Sequence, residues 1–233
     1  MKMNIEISYA LVAGLSTVLG GLLLLYTHLK RVNVRYMIAF AAGIIISTAF
    51  FEMIPEIPSN TLIVVGVGFF FIYLLEKIVL IHACKEEECS YKYHNVGWFS
   101  LLGLTIDNFV DGAAIAAGFL IDPLLGVTVT IAVFSHELAQ GLSTAIIMRD
   151  IYSNKRILFA LLIAALLTPI GAYVSRFFPS MIFNNILAFA AGSFLYIGAS
   201  DLLPEAHEKF NWKIILSVFV GVAFILVAGF FLE

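Results

Sequence analysis

Apolar runs of 18 residues or more recur from one end of this 233-residue chain to the other, separated by short polar breaks. Each run can cross a hydrocarbon core of roughly 30 Å as a helix. A segment in lipid must satisfy every backbone N–H and C=O internally, and a helix does so. Such a chain does not fold around a water-excluded core; it fills a bilayer. Composition agrees, with 61% hydrophobic and 12% charged residues, against about 25% charged in a soluble domain. The runs predict an all-α polytopic membrane protein with eight transmembrane helices, at about 6–27, 36–55, 61–81, 97–119, 124–147, 157–177, 182–203 and 211–232. These make one transmembrane domain over 1–233, with a long polar connection at 82–95. The first run, after Lys2, is too long for the apolar core of a signal peptide, so a retained first helix is expected.

Positive charge orients the bundle. Lys30, Arg31, Arg35, Lys77, Lys85, Lys92, Arg149, Lys155, Arg156, Lys209 and Lys213 lie in or beside the first, third, fifth and seventh connections. Only Lys2 and Arg176 fall on the opposite side. The bias puts both termini outside the cytoplasm and the 82–95 loop inside. No basic tract suits nucleic acid, and no Gly-x-x-x-x-Gly-Lys loop suits ATP.

An internal repeat runs through the chain. Phe40-Ala41-Ala42-Gly43, followed by Glu52, Pro55 and Glu56, returns 149 residues later as Phe189-Ala190-Ala191-Gly192, then Asp201, Pro204 and Glu205. Thr17-Val18-Leu19-Gly20 is echoed more weakly by Thr168-Pro169-Ile170-Gly171. The second span runs outward and the seventh inward, so the copies have inverted topology. Spans 1–3 and 6–8 are thus expected to flank spans 4 and 5 in a 3+2+3 arrangement, an architecture of secondary transporters with a midplane site at the repeat interface.

Spans four and five carry the chemistry. Asp107, Asn108 and Asp111 precede Gly112, and His136, Glu137 and Gln140 precede Gly141, each triplet spaced i, i+1, i+4. That spacing gathers a triplet on one side of a helix. The connection at Ile121–Pro123 is short enough to make the two helices antiparallel neighbours, so their centres meet at one depth. The cluster offers three carboxylates, an imidazole and two amide oxygens. One ionised acid at a helix centre costs ~2.5–3.5 kcal/mol on insertion scales, so three together call for a cation or for protonation within a hydrogen-bonded cluster. The spans hold no cysteine, which argues against Cu(I). An oxygen-rich set with one histidine suits Zn2+, Fe2+, Mn2+ or Co2+ better than Mg2+ or Ca2+. The metal is expected as substrate, with no catalytic cofactor.

Asp-Asn-x-x-Asp-Gly and His-Glu-x-x-Gln-Gly resemble the paired signatures of the ZIP (Zrt/Irt-like) divalent metal transporters, and Gly-Ser-Phe-Leu-Tyr with Asp-Leu-Leu-Pro-Glu in span seven is similar to that family too. The resemblance covers nearly the whole chain, including a variable cytoplasmic loop after span three. It implies uptake into the cytosol across the cell membrane without ATP hydrolysis, and frequent homodimers. Carried over by position, Asp107, His136 and Gln140 line a principal site, and Asn108, Asp111 and Glu137 a neighbouring one with Asp111 shared. Asp107 stands where histidine is usual, Gln140 where histidine or glutamate is usual, and Ala139 where proline is common. Thr168 occupies a place where some members supply a glutamate to a second ion.

Other residues carry two readings each. Glu52 toward the outside, and Asp201, Glu205, His207 and Glu208 toward the cytoplasm, are way-stations for ion uptake and release, or solvated interfacial groups. His82, Cys84, Cys89 and His94 have the chemistry to capture metal, although Cys84 and Cys89 do not match a standard zinc spacing and a flexible charged loop explains them as well. His136-Glu137 opens like the His-Glu-x-x-His of metalloproteases, yet Gln140 stands where the second histidine belongs. A metal channel or a sensor is the remaining alternative.

Overall fold

The computed structural model describes residues 5–27, 31–83, 98–149, 152–207 and 211–232. Eight helices among them are long and apolar enough to cross a membrane: α1 (Ile5–Tyr26), α2 (Val34–Glu56), α3 (Ser59–Ile78), α4 (Leu104–Ile121), α5 (Pro123–Ile146), α6 (Asn154–Ser175), α7 (Ser180–Ala206) and α8 (Trp212–Phe230). No strand occurs among the described residues. The helix of α3 continues to Ala83, and that of α4 begins at Trp98.

The turn between α4 and α5 explains their pairing. Asp122 caps α5, its Oδ1 accepting from the amides of Leu124 at 2.8 Å and Leu125 at 3.1 Å. Pro123 takes the first helical position, where no N–H is needed. The chain therefore reverses within one residue. Asp111 lies ten residues before the end of α4, about 15 Å down the helix axis, deep in a bilayer-sized bundle.

The repeat recurs in the backbone. α2 widens to a π-helical turn over Thr48–Met53, where Ile54 donates to the Ala49 carbonyl, and α7 does the same over Ile197–Leu202, where Leu203 donates to Gly198. The two segments stand 149 residues apart, the offset of the sequence repeat. Each ends two residues before a proline, Pro55 or Pro204. A proline ring collides with the carbonyl four residues back and offers it no N–H; bonding one residue further back relieves both problems.

Glycines bring the helices together in four close seams. α1 meets α5 through Gly20 and Gly141, and α4 meets α6 through Gly112 and Gly171. α2 meets α8 through Gly43 and Gly221, and α3 meets α7 through Gly68 and Gly192. A Cβ on Gly112 would stand 1.8 Å from the Thr168 carbonyl oxygen, and one on Gly192 1.9 Å from that of Val65. Pro169 inside α6 leaves the Ala165 carbonyl without its usual donor, and Gly14 of α1 closes on that oxygen. With Gly14 joining α1 to α6, the seams link α1, α4, α5 and α6 in one group and leave α2–α8 and α3–α7 as two further pairs. A cavity of about 230 Å³ lies where α2 faces α5, lined by Met37, Phe40, Ala41, Phe134, Leu138 and Ala139 among others.

Candidate metal centre

Helical spacing and the tight α4–α5 turn bring both triplets into one buried cluster. Asp111 and Glu137 are 0% exposed, His136 1% and Asp107 7%. The two helices pair their side chains in two layers. In one, His136 Nε2 lies 3.0 Å from Asp111 Oδ2. In the other, Gln140 Nε2 donates to Asp107 Oδ2 at 3.1 Å.

The histidine tautomer follows from its other contact. His136 Nδ1 lies 3.0 Å from the Ala132 carbonyl, which can only accept, so Nδ1 carries hydrogen. In neutral imidazole Nε2 then offers a lone pair to Asp111, itself an acceptor. Two acceptors 3.0 Å apart need a proton or a cation between them. A Zn2+ ion held about 2 Å from each ligand atom bridges such a pair. Phe194 of α7 covers the imidazole edge-on, its ring centroid 5.4 Å away.

Ligand atoms of Asp107, Asp111 and His136 all lie within 4.8 Å of one another. Two ligands of one zinc ion lie up to about 4 Å apart, so adjustments of roughly an ångström gather all three. Four buried oxygens in the cluster, Asp107 Oδ1, Asn108 Oδ1, Asp111 Oδ1 and Gln140 Oε1, accept no hydrogen bond from the protein. Orphaned buried acceptors cost about 1–3 kcal/mol each and are rare in native proteins. Their concentration within one helical turn of an imidazole lone pair suits a divalent cation.

Glu137 is placed differently. Thr17 of α1 donates to its Oε2 at 2.7 Å, and Thr168 of α6 to its Oε1 at 2.8 Å. The echo between Thr17 and Thr168 thus ends on one carboxylate, a partner the sequence repeat did not identify. Thr17→Val or Thr168→Val leaves a buried carboxyl oxygen without its donor and lowers stability by about 1–3 kcal/mol, read as a drop in melting temperature in detergent that Thr17→Ser does not reproduce.

The remaining sequence candidates scatter. Glu52 is half-buried with its carboxylate against α8, 2.8 Å from where a Cβ on Gly229 would stand. Asp201 is half-buried within electrostatic reach of Asp107, Glu76 and Lys77. Glu205 is exposed, and His207 Nδ1 donates to the Leu203 carbonyl at 3.0 Å. Cys84, Cys89, His94 and Glu208 lie outside the described residues, and of His82 only the backbone, in the last turn of the α3 helix, is described. Sequence reasoning missed the neighbours of Asp201. Tyr196 donates its hydroxyl to Glu76 Oε2, while Lys77 holds Glu76 Oε1 at 3.0 Å and lies over the Tyr73 ring. Glu76 and Lys77 were visible as charges near a span end, but a single sequence does not pair α3 with α7.

Residues 81–229 match the sequence profile described as ZIP Zinc transporter. The chain belongs to the ZIP family. This ZIP chain is 30% identical over 244 residues to "Zinc transporter ZupT" of Chlorobium chlorochromatii (strain CaD3), covering 89% of itself and 90% of that protein. It is also 28% identical over 207 residues to "Zinc transporter ZIP13" of Pongo abelii, covering 78% of itself and 60% of that protein. Over 124 residues it is 29% identical to "Metal cation symporter ZIP8" of Rattus norvegicus, covering 51% of itself and 26% of that longer protein. As a ZIP protein it is an integral membrane transporter of divalent metal and not an enzyme, so the protease reading of His136-Glu137 falls.

Proposed function

We propose that this ZIP protein is a secondary carrier that moves Zn2+ into the cytosol by alternating access, with Asp107, Asp111, His136 and Gln140 as the transport site. The observation that carries this reading is the group of two carboxylates and an imidazole, buried and within 4.8 Å of one another, between α4 and α5. Asn108, next to Asp107 in α4, is 0% exposed with both amide atoms unpartnered and is the further candidate ligand. Both termini lie outside the cytoplasm, and α1–α3 and α6–α8 form the inverted halves around α4 and α5. The matching π-helical turns and the duplicated glycine seams support that division.

The seams also favour a way of moving. α1, α4, α5 and α6 are joined by backbone contacts too close to slide, as are α2 with α8 and α3 with α7, whereas the cavity between α2 and α5 leaves room between α5 and the α2–α8 pair. The ion meets Glu52 on the outer side, sheds water onto Asp111 and His136, passes the Asp107–Gln140 layer, and leaves past Asp201 toward Glu205, His207 and Glu208. Fe2+, Mn2+, Co2+ and Cd2+ share enough ligand chemistry to compete.

Uptake of Zn2+ by purified protein in liposomes tests the proposal. The expected result is saturable flux, inhibited by the other ions in an order that ranks the site's preferences. Flux that rises linearly with Zn2+ concentration points to a channel instead, and absent flux from folded protein removes the carrier reading.

A further inference from the structure

Three carboxylates stand in the α4–α5 cluster, and the structure does not treat them alike. Asp107 and Asp111 each keep one buried oxygen that accepts nothing from the protein. Glu137 keeps none so exposed to a ligand: both its oxygens are held by hydroxyls, from Thr17 at 2.7 Å and Thr168 at 2.8 Å. The two donors approach from different helices, so a rotation of Glu137 that favours one breaks the other.

The donors are themselves fixed. The Thr17 carbonyl packs on Gly141, where a Cβ would stand 2.0 Å away, and the Thr168 carbonyl packs on Gly112 at 1.8 Å. A Cβ on Gly14 would lie 3.0 Å from Thr168 Oγ1. Glu137 of α5 therefore ties together α1 and α6 through threonines that stand at the α1–α5 and α4–α6 seams. Charge leads to the same place: Asp107 and Asp111 together balance one divalent ion, so the carboxyl group of Glu137, already held by two hydroxyls, is not needed to neutralise it. The gathered ligand atoms come from Asp107, Asp111 and His136, without Glu137.

We infer that Glu137 is a helix-joining acceptor and not an ion ligand, so that this chain holds a single divalent ion where its relatives' pattern allows a pair. The inference rests on the site proposed above. Titrating purified protein with Co2+ tests it, because the visible d–d bands report the coordination shell and the endpoint reports stoichiometry. The expected endpoint is one Co2+ per chain. Glu137→Gln keeps an acceptor and a donor for the two threonines, and should leave the endpoint and band positions unchanged even where loss of a nearby charge weakens affinity. Asp111→Asn should shift or abolish the bands.

A wild-type endpoint of two, or a band shift in Glu137→Gln like that in Asp111→Asn, overturns the inference. If Glu137→Gln does not fold, the wild-type endpoint still decides. Wild-type protein without Co2+ bands is a different result: it removes the metal site itself, and the inference with it.

Discussion

Asp107→Asn and His136→Ala each lower zinc uptake into liposomes by at least tenfold while leaving the protein folded. Loss of a group that only supports a metal ligand costs about 10–100-fold in affinity or activity, so loss of a ligand costs no less. Asp107→Asn changes shape hardly at all, which makes it the cleaner of the two. It removes one charge from a buried group of carboxylates whose mutual repulsion the fold tolerates for the sake of the ion. Melting temperature in the absence of metal is therefore expected to hold or to rise, as it does where a functional site stores strain. Uptake unchanged in both variants sinks the assignment of the site; uptake lost together with the fold says only that the cluster is structural.

The second large effect runs the other way, with the fold lost while every ligand is kept. Gly112→Ala places a methyl group 1.8 Å from the Thr168 carbonyl oxygen and 2.9 Å from the Ala172 nitrogen. Both are backbone atoms of a packed helix and cannot swing aside. α4 must part from α6, at a cost of about 1–3 kcal/mol or more. Gly66→Ala is the control. Nothing lies within 4 Å of a Cβ there, and alanine is the better helix former by about 1 kcal/mol. Thermal unfolding in detergent should show Gly112→Ala well below wild type and Gly66→Ala at or above it. Equal melting temperatures would contradict the packing described for α4 and α6.

The parts of this molecule that were legible in its sequence are those fixed by distance along one helix or across one short turn. The i, i+1, i+4 triplets needed only helical geometry, and the one-residue turn at Asp122 then set their common depth. Even the π-helical turns left a mark, because Pro55 and Pro204 occupy matching places after them. What depends on register between distant helices was not legible. Tyr196 and Glu76 are 120 residues apart, and no periodicity within α3 or α7 reveals that they touch. Thr17 and Thr168 were visible as an echo, but their shared acceptor lies on a third helix, and only packing identifies it.

The two ends of the bundle are not copies of one another. Gly68 of α3 and Gly221 of α8 take equivalent places against Phe189 and Phe40, 153 residues apart. By the same offset Glu76-Lys77 in α3 answers to Gly229-Phe230 in α8. One mouth thus carries the linked charges of Glu76, Lys77 and Asp201 beneath Tyr196, while at the other Gly229 and Phe230 stand where Glu76 and Lys77 would. A pore with perfect twofold symmetry would present the same half-saturating concentration to either compartment. Under the carrier mechanism proposed above this protein is expected not to, although no asymmetry in a passive carrier can choose the direction of net flow, which belongs to the gradients alone. Unequal mouths must be offset by unequal rates of turning inward and outward. Those two residues of α3 therefore bear on which compartment's metal concentration the protein is tuned to meet.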